Sequence, residues 1–334
     1  MSRGGGCNAC HLNYSEEAKN DLNAYLVSSK KELPEFHPAT NIFVKNEHCF
    51  GCHSRSSRIS TNYEGWQETL LEQEDIKGKK GFKTFEDKRI YAQKEEDVHH
   101  AKGLLCIDCH SSHEVMGDGK KYTHEEQAVK LQCSDCHFKE KPKTIPYSKL
   151  DAESLLVFLH RDYKHYDKEV IAVEKSGHPL VNTFIDSVGN AFLIGKKDGK
   201  LHPLNPQPEI CSRDNAHKNV SCATCHSSWT TRCIGCHNEY DKNEPRAFDL
   251  LDRKYGKGQW KEFVAEFSSS LPAMGVRENS EGKHIEPAVP GMILTIDQGS
   301  YSGKKTGEDV SFHRLYAPNS PHTTISNARD CKSC

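Results

Sequence analysis

Six segments of this 334-residue chain place two cysteines and a histidine in the order Cys-x-x-Cys-His. They are Cys7, Cys10 and His11; Cys49, Cys52 and His53; Cys106, Cys109 and His110; Cys133, Cys136 and His137; Cys222, Cys225 and His226; and Cys233, Cys236 and His237. A further pair, Cys331 and Cys334, ends the chain without the histidine. Two thiols at this spacing match the two vinyl groups on one edge of a porphyrin, and the histidine that follows offers iron an axial nitrogen. The spacing is therefore that of covalent haem c attachment. The chain's own Cys and His frequencies would produce roughly 0.04 such pentapeptides by chance, so composition does not explain the series. Zinc and iron–sulfur sites pair Cys-x-x-Cys units without requiring a histidine after the second cysteine. A redox dithiol would use one such unit on a thioredoxin-like pattern. The expected cofactor is haem c, at six complete sites and a seventh cut short at the C-terminus.

A low-spin electron-transfer haem needs a second axial ligand, and fourteen histidines lie outside the motifs. His124 and His322 each precede a motif cysteine, Cys133 and Cys331, by nine residues, which suggests one module used twice. His217 lies five residues before Cys222, and His99 and His100 lie seven and six before Cys106, so one of that pair is expected to ligate. His37, in Phe-His-Pro ahead of Cys49, is a further candidate, as are His113 and His313. His48 abuts Cys49 and would suit a neighbouring haem better than its own. His160, His165, His178, His202 and His284 read as solvated or structural. Cys211 is the odd thiol: a free buried cysteine, a partner for a cysteine outside the fragment, or an unusual iron ligand, the first two being favoured.

Hydrophobic residues make up 35% of the chain and the mean hydropathy is -0.76, both low for a core of this length. Porphyrins would supply the missing apolar surface, and without them the chain is expected not to fold. The formal charge of -2 omits haem propionates; with each oxidised bis-His haem adding about -1, the loaded protein reaches roughly -8 or -9. Its isoelectric point then falls below 6.8. That charge and the lack of a basic run argue against a nucleic-acid partner and leave room for redox partner proteins. No apolar run approaches the length of a membrane helix. Covalent haem is attached outside the cytoplasmic membrane, so the protein is expected in the periplasm or outside the cell. No signal peptide is present in residues 1–6, and both ends read as edges of a fragment.

The motifs must be carried by short elements. Residues 1–137 hold four motifs, 138–210 hold none, and 211–334 hold two motifs and the cut seventh, which gives three expected regions. Only 11 residues separate the starts at Cys222 and Cys233, so their haems are expected as neighbours, with Trp229 packing on porphyrin. Helices are expected from Ser15 through Leu26, after a capping box at Thr123–Glu126, and over 63–76, 152–166 and 259–267. Residues 181–186 and 191–195 flank a Ser-Val-Gly-Asn turn and predict a β-hairpin, and 292–297 predicts a strand. The expected fold is mainly α with extensive irregular loops wrapped around a haem array and minor β-hairpins in the middle and C-terminal parts.

Through its motifs the chain resembles the multihaem c-type cytochromes of bacterial and archaeal respiration, with octahaem oxidoreductases as distant relatives. The segments 97–103 before Cys106, 222–237 with Trp229, and 320–324 before Cys331 carry the resemblance. It implies His99, His124, His217 and His322 as distal ligands, in keeping with the spacing. The expected function is electron transfer through closely spaced, mostly bis-His low-spin haems, with partners that include other multihaem cytochromes or further copies of the chain. The rival is a multihaem oxidoreductase with one open-site haem acting on a small nitrogen or sulfur compound. Enzyme or carrier stays open, with the histidine surplus favouring the carrier; candidate acid-base groups of an enzyme would be Tyr163, His160 or His165.

Overall fold

The structure, a computed structural model, describes residues 6–28, 34–54, 60–85, 88–123, 125–212, 217–246, 253–330 and 332. The chain divides into two compact units, each discontinuous in sequence: 1–52 with 103–213, and 53–102 with 214–334.

The mainly α expectation is overturned: helix accounts for 25% of the chain and strand for 31%. The physical reason lies in the motifs themselves. A Cys-x-x-Cys unit needs only one helical turn, and Asn8–His11, Cys106–Cys109, Cys133–Cys136 and Cys222–His226 are helices of that size. The residues between motifs pair as strands instead.

In the first unit, five antiparallel strands form one sheet in the spatial order Leu201–Pro203, Ala191–Ile194, Pro179–Ile185, Glu169–Ala172, Thr144–Pro146. Alternation of side chains gives this sheet two buried faces. Ile171, Val173, Leu180 and Ala191 pack on one side with Leu131, Cys136 and Phe138 of the fourth motif region. Val181 packs on Phe158, within the helix Ala152–His160, and on Tyr163 just after it. That helix stops six residues short of its expected end because Asp162 adopts a left-handed φ of 54°. The longer helix Glu16–Ser28 and a two-stranded pairing of Leu12–Asn13 with Ala39–Thr40 complete the ground around the first motif.

In the second unit, Trp66–Glu68 and Phe82–Thr84 flank Ile90–Gln93 in an antiparallel sheet whose core residues Ile90 and Tyr91 are fully buried. Five longer strands, Thr230–Pro245, Lys257–Ser270, Ala273–Asn279, Gly282–Asp297 and Val310–Pro318, form a second sheet. Two expected helices fail here. Residues 63–76 break at Gly65, and 259–267 lie within a strand held rung by rung against Thr230–Pro245. The helix Cys222–His226 docks on the strand Gly282–Asp297 through Ile285, whose carbonyl accepts from Ser221 N and Thr224 Oγ1.

Candidate functional site

A helical turn brings residues three apart onto one face, so in four motifs the two cysteines share a side. The fifth such motif, Cys49 to His53, closes the longer helix Asn46–His53. In each of three motifs the residue before the second cysteine is buried and pins the turn to the rest of its unit. Asp108 accepts from the Leu105 amide at 2.7 Å and, through its other oxygen, from the Lys196 amide at 2.7 Å. Asp135 repeats the arrangement with the amides of Gln132 at 2.7 Å and Glu174 at 2.8 Å. Thr224 does the same work by donating to Ile285 O at 3.0 Å. Burial pushes both aspartates above their ordinary value in spite of these amides. Burial likewise lowers Lys196, beside Asp108, to about 8. Sequence reasoning missed all three anchors; their signal is a hydrogen-bonding side chain at the second x of the motif.

Four of the motif histidines are held through Nδ1. Nδ1 of His11, His137 and His226 donates to the backbone oxygens of Asn41, Asn205 and Ile325 at 2.9, 2.9 and 3.0 Å. His110 Nδ1 meets Glu114 Oε2 at 2.6 Å, and Glu114 also accepts the Lys130 amide. A ring tied at Nδ1 coordinates through Nε2, the arrangement seen when a metal-bound imidazole is oriented by its surroundings. The cysteines of the first unit lie near one another in sequence order. Cys106 Sγ donates to Cys49, which outweighs burial and with His110 holds Cys49 down to about 7. Burial, then the thiols of Cys49 and Cys52, push Cys10 up. Burial, then Cys109 and Asp135, push Cys136 well above the ordinary thiol range. Cys7, Cys10, Cys49, Cys52, Cys136 and the exposed Cys211 are in no disulfide.

The candidate distal histidines separate by what their rings already bind. Nδ1 of His99 pairs with Asp97 Oδ1 at 2.8 Å, and Asp97 is 2% exposed. Burial opposes ionisation of Asp97, yet His99 and the amides of His99 and Thr324 together lower it. His100 pairs with Glu96 and packs edge-on against Tyr63. His48 uses both nitrogens, accepting from the Lys45 amide at 3.0 Å and donating to Leu12 O at 3.1 Å. His113 contacts Ser154 at 3.0 Å, lies near Asp151 and Glu153, and stacks on His178 at 4.2 Å. His37 is exposed just before Ala39–Thr40, which pairs with the residues following His11. His217 is exposed in the turn before Cys222, and His313 is exposed on Val310–Pro318 opposite Leu294. His322 adopts a left-handed φ of 52° with Nδ1 on Ser320 O at 2.9 Å. His124, Cys331 and Cys334 lie outside the described residues. Trp229 is 6% exposed and its Nε1 donates to Glu95 O at 2.8 Å.

The donor set fits haem c at the five helical motifs: thiol pairs on one turn and, wherever the structure gives the histidine's contacts, a ring tied at Nδ1. Among the described residues no group of three or more His, Cys, Asp or Glu gathers around a common point. A haem iron needs only two protein ligands, because the porphyrin supplies four. His284, read from sequence as structural, has a buried Nε2 with no hydrogen-bond partner, an arrangement costing about 1–3 kcal/mol that a metal would relieve. The motif at Cys233, Cys236 and His237 does not fit while it is held as a strand. It lies in the strand Thr230–Pro245, and residues three apart in an extended strand do not share a face. Among the described residues no helix is long and apolar enough to cross a membrane. No known protein family, curated protein or solved structure matches the chain.

Proposed function

We propose that the chain is a multihaem c-type cytochrome, exported to the periplasm or cell surface, that passes electrons through closely spaced haems. The observation that carries this reading is the contiguity of thiols in the first unit: Cys10 beside Cys49 and Cys52, Cys49 hydrogen-bonded to Cys106, and Cys109 beside Cys136. Four attachment points thus follow one another in chain order. Haem c supplies a one-electron iron couple when bound. The protein's part is to hold each porphyrin edge through two thioethers, aim one imidazole Nε2 by its Nδ1 tether, and keep neighbouring edges close. The partners are redox proteins, other multihaem cytochromes or further copies of this chain. The surplus of histidines favours low-spin, six-coordinate iron over an open catalytic site. A pyridine haemochrome assay on the matured protein checks the reading, with five or six haems per chain expected. Zero haem would overturn it, and a stoichiometric five-coordinate high-spin signal would overturn the electron-carrier part.

A further inference from the structure

Two thiols from different motifs meet in the first unit. The Cys106 thiol donates to Cys49, 57 residues earlier in the chain. A second bond joins the same two helices, because the Cys106 amide donates to Asn46 Oδ1 at 3.0 Å. Asn46 opens the helix Asn46–His53, and Cys49 stands one turn further along on the same side. The amide oxygen and the sulfur therefore face Cys106 together.

Each helix is also held apart from this contact. Asn46 is 4% exposed, and His48 Nε2 donates to Leu12 O at 3.1 Å. The turn Cys106–Cys109 is pinned through Asp108 to the amides of Leu105 and Lys196, each at 2.7 Å. Both cysteines are partly exposed, so a reagent in solution reaches them. Haem attachment turns each sulfur into a thioether, which has no proton to give, so the bond from Cys106 to Cys49 belongs to the chain before attachment. The rival partner of Cys49 is Cys52 in the same helix. Side chains three apart on a helix hold their β-carbons about 5–6 Å from each other, whereas a disulfide needs about 3.5–4.5 Å. A bond inside this motif would unwind its turn, and a bond to Cys106 does not require that.

Building on the haem reading above, we propose that Cys49 and Cys106 form a disulfide in the unmatured chain, a redox switch that withdraws one thiol from each of the second and third motifs and closes two haem sites at once. The oxidant is the disulfide of a small thiol or of a partner protein. The Cys49 thiolate attacks one of its sulfurs and releases a first external thiolate. Cys106, losing its proton, then attacks the mixed disulfide at the Cys49 sulfur and releases the second. The two cysteine protons end on the two released thiols, and the pair gives two electrons to the external disulfide. An external dithiol runs the exchange backwards and reopens both motifs.

The test uses the full chain made without haem, reduced and then exposed to oxidised glutathione, with free thiols blocked before digestion. Cleavage after lysine and arginine leaves Cys49 and Cys52 in the peptide 46–55, and Cys106 and Cys109 in the peptide 103–120. A bond between the motifs joins the two peptides, and a bond inside a motif does not. The joined pair is expected in the wild type and in Cys52→Ser/Cys109→Ser, and its loss is expected in Cys49→Ser/Cys106→Ser. Asn46→Ala, which removes the acceptor of the Cys106 amide, should lower its yield. Bonds confined to single peptides, or a joined pair undiminished in Cys49→Ser/Cys106→Ser, would overturn the pairing. This map needs no haem, so it stands apart from the haem count of the matured protein. Supplied with haem and the attachment machinery, the oxidised chain is expected to take up two haems fewer than the reduced one. Equal uptake with haem bound would overturn the switch and leave the haem reading in place, whereas no haem on either chain would overturn that reading and the switch with it.

Discussion

Asp108, Asp135 and Thr224 occupy the same place in three motifs and each ties its turn to its own unit, at Lys196 and Glu174 just past two strands and at Ile285 within a third. On the haem reading the thiols would specify what is attached, while this residue fixes where the turn stands. Replacing Asp135 by alanine leaves the amides of Gln132 and Glu174 without their acceptor beside the core residues Leu131, Cys136 and Phe138. The expected loss is about 3 kcal/mol, read as a lowered denaturation midpoint of the matured protein, and Asp135→Asn should lose less because it keeps one acceptor oxygen. A midpoint equal to wild type would show that the turn is held by its cofactor alone. At this scale the motifs were legible and the supports of their turns were not. Cys-x-x-Cys-His announces itself, but the oxygens that orient His11, His137 and His226 belong to backbones 30, 68 and 99 residues away. A carbonyl carries no sequence signature. Asp97 could have been read as a helix cap from Asp-Val-His-His, yet its bond to Thr324, 227 residues on, could not.

Elements were legible where a turn or cap is spelled out locally. Asp186 and Gly189 close the turn between Pro179–Ile185 and Ala191–Ile194, and Ser15 caps the helix Glu16–Ser28 through the Ala18 amide. Where the outcome depended on a distant partner, local pattern misled. Residues 259–267 carry enough apolar positions for a helix face, but Lys257–Ser270 pairs along nearly its whole length with Thr230–Pro245, and strand pairing overrides so weak a preference. Gly65 shows how much one position can decide. Its φ of 76° lets the chain turn from Asn62 into Trp66–Glu68, and an added Cβ would lie 2.8 Å from Lys94 O and 2.9 Å from Glu96 N. That turn also seats the segment leading to Asp97, whose amide donates to Tyr63 O at 3.1 Å. Gly65→Ala is therefore expected to cost at least about 2 kcal/mol through strain and clash together. Thermal unfolding measures that cost, and a midpoint equal to wild type would show that the turn tolerates the added carbon.

The whole molecule buries little for its length. The first unit has two small clusters under its sheet, whereas the long sheet of the second leaves Trp260, Phe263, Val276 and Phe312 at 42%, 50%, 72% and 63% exposure. Such faces are compatible with the proposal that porphyrins complete the apolar surface of a chain low in aliphatic residues. Phe263 lies 6.0 Å from the His237 ring, beside the one complete motif that does not form a helical turn. Here two structures compete for the same residues. Extended pairing sets Cys233 opposite Phe267 and His237 opposite Phe263, while thioether attachment at Cys233 and Cys236 demands a turn that lifts both residues from those rungs. Haem at this motif and full pairing of 263–267 therefore exclude each other. Peptide mapping of the matured protein is expected to find haem on Cys233 and Cys236, with the amides of 263–267 exchanging fast in the same sample. In Cys233→Ser/Cys236→Ser, which cannot carry that haem, those amides should slow as the rungs close. Slow exchange in chains that hold the haem would show that the strand accommodates it and that the two states are compatible.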